Sequence, residues 1–174
     1  MRINRVVIQF YSFFMLFSLA MTMVHCQTIQ NETMEDCLPE YKFDGKKVIL
    51  TEQEWKDKLS PEQFRVLRKQ GTEKAFHNEY SDFKKEGVYV CAGCGLPLYS
   101  SHAKYDSGTG WPSFWQPICP ENITLKEDRG FFTTRTEVVC SRCGGHLGHV
   151  FNDGPEPTGE RYCMNSAALK FVSK

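Results

Sequence analysis

Two cysteine pairs constrain this chain more than any other feature. Cys91-Ala-Gly-Cys94 and Cys140-Ser-Arg-Cys143 share the Cys-x-x-Cys spacing, and glycine follows each at once. Each is entered from a β-favouring run: Val88-Tyr-Val90 before the first, and a segment from Phe131 to Val139 rich in β-branched residues before the second. Four thiolates on two tight turns satisfy a tetrahedral Zn²⁺ and leave no open position, so one structural Zn²⁺ per chain is expected. The glycines permit the turn that points both sulfurs inward. Disulfides are the competing use of these cysteines, because a secretory compartment favours them. The flanking glycines, and a gap long enough for an inserted sheet and loop, fit a thiolate cage better. The expected fold is mainly β: two antiparallel sheets with a zinc-ribbon-like four-cysteine site and short N-terminal helices.

Those helices announce themselves by their caps. Thr51-Glu-Gln-Glu54 is a capping box, and Trp55 and Leu59 follow on one helical face. Ser60-Pro-Glu-Gln63 is a second start with proline at the first helical position. Phe64 and Leu67 continue the spacing, Arg68 and Lys69 sit in the last turn, and Gly71 reads as the stop. Lys47 to Leu50 is a short apolar run that reads as an edge strand.

The chain begins with a targeting pattern. Arg2 and Arg5 precede a largely apolar run from Val6 to Val24, and small residues suited to cleavage lie at Ser18-x-Ala20 and Val24-x-Cys26. Residues 1–26 are therefore expected to be a signal peptide, with an uncleaved anchor as the alternative, and the domain to enter the secretory pathway for secretion. With the leader cleaved, no stable membrane insertion is expected. The sequons Asn31-Glu-Thr33 and Asn122-Ile-Thr124 point the same way. Residues 27–46 are polar and acidic and read as an exposed N-terminal arm; residues 47–172 form the domain. Lys and Arg number 21, as do Asp and Glu, so no basic excess exists to hold nucleic acid.

Near the C-terminus, chemistry-bearing residues crowd together. As one strand, the stretch Arg161 to Phe171 places Arg161, Cys163, Asn165, Ala167, Leu169 and Phe171 on a single face. Cys163 has no Cys-x-x-Cys partner. A cation beside a thiol favours the thiolate, which is the nucleophile. The plain alternative is a small buried hydrophobe, as many free cysteines are.

The two cysteine pairs, Ser107-Gly-Thr-Gly-Trp-Pro-Ser-Phe114, His146-Leu-Gly-His-Val-Phe-Asn-Asp-Gly-Pro155 and Arg161-Tyr-Cys-Met-Asn-Ser-Ala-Ala-Leu169 together resemble the methionine-R-sulfoxide reductases, the type B family. The resemblance runs from about Lys47 to Phe171. It implies that Cys163 attacks the sulfoxide sulfur and becomes a sulfenic acid, and that His146 and His149 are active-site histidines, one supplying the proton that S–O cleavage needs. On an ideal strand residues three apart face opposite ways, so a bulge or turn at Gly148 is required to bring both inward. The resemblance further implies that Asp153 orients a histidine, Asn165 binds the oxygen or a water, Arg161 favours the thiolate, and Trp111 and Phe151 receive the substrate. Its expected partners are oxidised proteins or peptides carrying methionine-R-sulfoxide and a thioredoxin-like or small-thiol reductant.

One position departs from the family pattern. Where many members carry a resolving cysteine, this chain has Thr109. The sulfenic acid must then be reduced by an external thiol or trapped by Cys37 or Cys119. Two other functions compete: a zinc-ribbon interaction module without catalysis, and a thiol hydrolase using Cys163 with a histidine base.

Overall fold

The computed structural model describes residues 37–130 and 133–173. The expected leader, the Asn31 sequon and the first two residues of the Phe131–Val139 run lie outside the described residues, as do residues 27–36 of the arm.

The two caps form as read. Helix α1 (Glu52–Lys58) has its Thr51–Glu54 box, and helix α2 (Pro61–Lys69) has its Ser60–Gln63 box with proline in the first turn. Acidic residues sit in the first turn of each helix and basic residues in the last, which matches the helix dipole. The left-handed residue that ends α2 is Gln70 (φ 55°), one position before the expected Gly71. Trp55, Leu59, Val66 and Leu67 are buried and press the pair onto the β structure.

Among the described residues the strands are β1 (Gly87–Cys91), β2 (Pro97–Ser100), β3 (Lys104–Tyr105), β4 (Ser113–Phe114), β5 (Ile123–Arg129), β6 (Thr134–Cys140), β7 (His146–Phe151), β8 (Arg161–Met164) and β9 (Leu169–Ser173). A three-stranded sheet runs β2-β1-β9, and a six-stranded sheet runs β3-β4-β8-β7-β6-β5. Every pairing is antiparallel. The mainly β fold with two antiparallel sheets and short helices is thus the observed one.

Aromatic side chains from both sheets make the core. Tyr99 of β2 stacks on Phe114 of β4 with centroids 4.4 Å apart, and Tyr89 of β1 meets the same ring edge-on at 5.1 Å. Tyr99, fully buried, donates its hydroxyl to the Met164 sulfur at 3.2 Å. Tyr162 and Met164 of β8 face this core, so Arg161 and Cys163 point from the opposite face.

Three expectations are corrected here. Arg161 to Phe171 is not one strand: β8 ends at Met164, a 3₁₀ turn covers Ser166–Ala168, and β9 crosses to the other sheet. The shared face therefore holds for Arg161 and Cys163 but not through Phe171. Lys47 to Leu50 forms no strand and makes one backbone bond to the second cysteine turn, Val48 N to Arg142 O at 2.9 Å. Asn122 is fully buried and cannot serve as a glycosylation acceptor in the folded chain. Its side-chain nitrogen donates to the Tyr41 and Pro97 carbonyls at 2.8 and 2.7 Å, and its side-chain oxygen accepts from the Phe43 amide at 2.8 Å. The same residue thereby pins the described part of the arm to the domain. A Cys37–Cys119 disulfide fastens it further.

Candidate active site

Cys163 lies in the middle of a transverse row. Strand register places Ser113 of β4 directly opposite it on one side and His149 of β7 on the other. Glu137 of β6 lies opposite His149 in turn. Directly opposed side chains in an antiparallel pair stand about 5 Å apart at Cβ, which puts the Cys163 thiol beside the His149 imidazole.

His146 reaches the same face through a bulge. The β6–β7 register runs Val138 to Gly148 and then Val139 to His146, so Leu147 is the extra residue. Leu147 turns into the core while His146 and His149 share the other face, their rings 5.4 Å apart. Gly148 is needed there because a Cβ would run into the Cys163 carbonyl oxygen across the strand pair.

Each histidine has a carboxylate partner that inspection of the sequence missed. His149 Nε2 lies 2.9 Å from Asp128 Oδ2, and the Arg135 guanidinium holds the same oxygen at 2.7 Å. His146 Nδ1 lies 2.6 Å from Glu137 Oε1 in a buried pair, and Gln70 donates to that oxygen at 3.1 Å. Asp128, Arg135 and Glu137 come from the β5–β6 hairpin, and only the register of that hairpin reveals them. Burial pushes the His149 pKa down while Asp128 pulls it up; the net direction is down, so the resting imidazole is neutral. The His149 and Arg135 contacts hold the Asp128 carboxyl below its usual range.

Asp153 does not orient a histidine. It clamps Arg161 with two bonds of 2.8 Å, and Arg161 lies over the Phe151 ring at 4.4 Å. Arg161 does favour the Cys163 thiolate, as do Thr109 and Ser113, but burial outweighs them and the Cys163 pKa is raised. The resting group is therefore the thiol. Asn165 is buried with its oxygen accepting from the Glu73 amide at 3.0 Å and its nitrogen donating to the Leu147 carbonyl at 3.0 Å. Its side chain ties the strand to its surroundings, and its oxygen is already committed.

A cavity of about 200 Å³ opens at this row. Cys163, His149, Asn165, Trp111 and Phe151 line it together with Thr72 and Arg135. The Trp111 indole is fixed by a 3.1 Å bond to the Glu73 carbonyl. Cys37 and Cys119 are bonded to each other and absent from this lining, so neither offers a thiol to Cys163 in this state. That corrects the expectation of a free resolving thiol at either position.

The cysteines of the two Cys-x-x-Cys pairs gather as expected. The Cys91, Cys94, Cys140 and Cys143 sulfurs all lie within 4.8 Å of one another, with Cys91–Cys143 at 3.6 Å and Cys94–Cys140 at 3.5 Å. Thiolates about 2.3 Å from a tetrahedral zinc stand roughly 3.8 Å apart, so the donor set and its spacing fit Zn²⁺. Both turns are built alike: Gly95 and Gly144 take positive φ and donate to the carbonyl of the first cysteine of their pair at 2.8 Å. Cys91 ends β1 and Cys140 ends β6, so the cluster joins the two sheets.

The SelR domain family model matches residues 59–173. A peptide methionine sulfoxide reductase MsrB of Hahella chejuensis is 57% identical over 127 residues, covering 73% of this chain and 91% of that protein. The protein of the same name from Methanosarcina barkeri is 56% identical over 129 residues, covering 74% and 91%. Peptide methionine sulfoxide reductase B1, chloroplastic, of Arabidopsis thaliana is 57% identical over 122 residues, covering 70% and 60%. With these matches and a cysteine–histidine site inside the matched region, the chain belongs to the SelR family, the methionine-R-sulfoxide reductases.

Proposed function

We propose that this protein is an oxidoreductase that reduces the R epimer of methionine sulfoxide in peptides and proteins to methionine, with Cys163 as the nucleophile. The observation that carries this reading is the cross-strand pairing of Cys163 with His149 at a cavity walled by Trp111 and Phe151. The names of the relatives add the substrate class.

The chemistry follows from a thiol beside a neutral imidazole. His149 takes the Cys163 proton as the sulfur attacks the substrate sulfur, then delivers it to the sulfoxide oxygen. Asp128, held by Arg135, stabilises the imidazolium formed between these transfers. The oxygen passes to Cys163 as S–OH and the thioether of methionine leaves. The substrate sulfur gains the two electrons that the Cys163 sulfur loses. Two external thiols restore Cys163: the first condenses with the sulfenic acid and releases water, and the second cleaves the mixed disulfide. Trp111 and Phe151 enclose the methyl group. Cys91, Cys94, Cys140 and Cys143 would hold one structural Zn²⁺, which would tie the ends of β1 and β6 together.

The secretory address belongs to the same proposal. The Cys37–Cys119 disulfide supports it, because such bonds persist in oxidising compartments. Presenting separate R and S sulfoxides of N-acetylmethionine with dithiothreitol tests the activity. Consumption of the R epimer only, abolished by Cys163→Ser, is expected; no consumption of either by folded protein overturns it.

A further inference from the structure

Phe76 occupies a conformation that aromatic residues rarely adopt. Its φ is +61°, in the left-handed region that bulky side chains avoid. Its side chain is nevertheless turned outward, and the residue is 68% exposed. A single exposed phenylalanine is ordinary; one held outward by a strained backbone is not.

The placement of this ring relates it to the site. Phe76 N donates to the Gly110 carbonyl at 2.9 Å, and Asn78 Nδ2 donates to the same oxygen at 2.7 Å. The ring lies directly on Gly110, where any Cβ would meet its carbons at 2.7–2.8 Å. Gly110 stands between Thr109, whose hydroxyl lies 4.0 Å from the Cys163 sulfur, and Trp111, which walls the cavity. The Trp111 indole is bonded to Glu73, and Thr72 lines the cavity, so the segment from Thr72 to Asn78 is laced to the Trp111 loop at several points. One face of the Phe76 ring is packed and the other is open.

The cavity of about 200 Å³ takes little more than the methionine side chain, so the polypeptide on either side of it must run across the rim. We propose that Phe76 is a specificity residue: its open face receives an apolar side chain next to the methionine sulfoxide, so that the protein reads polypeptide substrates with apolar neighbours. The Phe76 N and Asn78 Nδ2 bonds to the Gly110 carbonyl hold the ring against the loop that continues into Trp111. This inference rests on the proposed sulfoxide reduction and extends it from the reacting side chain to the flanking sequence.

The test compares N-acetylmethionine-R-sulfoxide with two blocked pentapeptides, one with glycines and one with leucines beside the R sulfoxide, using dithiothreitol as reductant. The wild type is expected to favour the leucine-flanked peptide over the glycine-flanked one by about tenfold in kcat/KM, chiefly through KM. Phe76→Asn keeps a residue at ease with positive φ and removes the ring, and it is expected to abolish that preference. Phe76→Tyr keeps the ring and is expected to retain it. Equal use of both peptides by the wild type, or a preference that survives in Phe76→Asn, overturns the proposal. Failure of folded wild-type protein to reduce even N-acetylmethionine-R-sulfoxide defeats the reductase reading instead.

Discussion

The Thr109 hydroxyl lies 4.0 Å from the Cys163 sulfur. It is the near end of a hydroxyl chain, with Ser107 Oγ 2.8 Å from Thr109 and 2.7 Å from Ser113, the residue opposite Cys163. A threonine cannot form a disulfide, but it donates a hydrogen bond to a thiolate or a sulfenate. The position that could have carried a trapping thiol instead presents a hydroxyl to the Cys163 sulfur.

That geometry makes Thr109→Cys a gain-of-function test. The new sulfur replaces an oxygen 4.0 Å from the Cys163 sulfur, and a rotamer change is expected to bring the two sulfurs to bonding distance. After one turnover with sulfoxide and no reductant, the variant is expected to hold a disulfide between the introduced sulfur and Cys163, seen by mapping non-reduced peptides. The wild type is expected to show none.

Asp128 holds His149 at 2.9 Å, and this contact is expected to support both proton transfers. Asp128→Asn keeps the size and removes the charge that stabilises the imidazolium. It is expected to lower kcat by about 10- to 100-fold with little change in thermal midpoint, and His149→Ala by about 100-fold or more. Steady-state rates with dithiothreitol check both. An Asp128→Asn enzyme as fast as wild type contradicts the role.

Burial raises the Cys163 pKa while Thr109 and Arg161 lower it, which sets a pH dependence. The reactive thiolate is scarce below the raised pKa and accumulates as pH rises through it. Alkylation of Cys163 by iodoacetamide is therefore expected to accelerate with pH and reach half-maximum above the ordinary thiol value of about 8.5. Arg161→Met and Thr109→Val remove thiolate stabilisers and are expected to move the midpoint further up. A downward shift in either contradicts the assignment.

Zinc is expected to act on the fold. Two of the four cysteines end β1 in one sheet and β6 in the other, and Gly93 and Gly145 beside the cluster pack on Leu67 of α2. Metal analysis is expected to find one zinc per chain, and its removal by a strong chelator to lower the thermal midpoint by about 10 °C or more. No zinc with four alkylatable thiols contradicts the site.

What the sequence made legible was local. The helix caps are four-residue patterns, and each cysteine turn carries its spacing and glycine within a few residues. Arg161 and Cys163 lie two apart on one short strand, so their common face was readable. The missed features depend on distant segments meeting. Asp128 and Glu137 reach the histidines only because β5, β6 and β7 pair in one register; the bulge itself follows from the His146–His149 spacing, with Leu147 as the extra residue beside Gly148. Asn122 fits a glycosylation motif, yet three bonds to Tyr41, Phe43 and Pro97 bury it. Cys37 and Cys119 are 82 residues apart, and nothing near either marks the other as its partner.

The most direct measurement is a single turnover without reductant. Protein with its thiols reduced and the reductant removed is mixed with excess R sulfoxide of N-acetylmethionine, then treated with dimedone. The account predicts one thioether product per chain and a dimedone adduct on Cys163, both absent in Cys163→Ser. Product without modification of Cys163, or product that persists in the Cys163→Ser variant, contradicts Cys163 as the nucleophile.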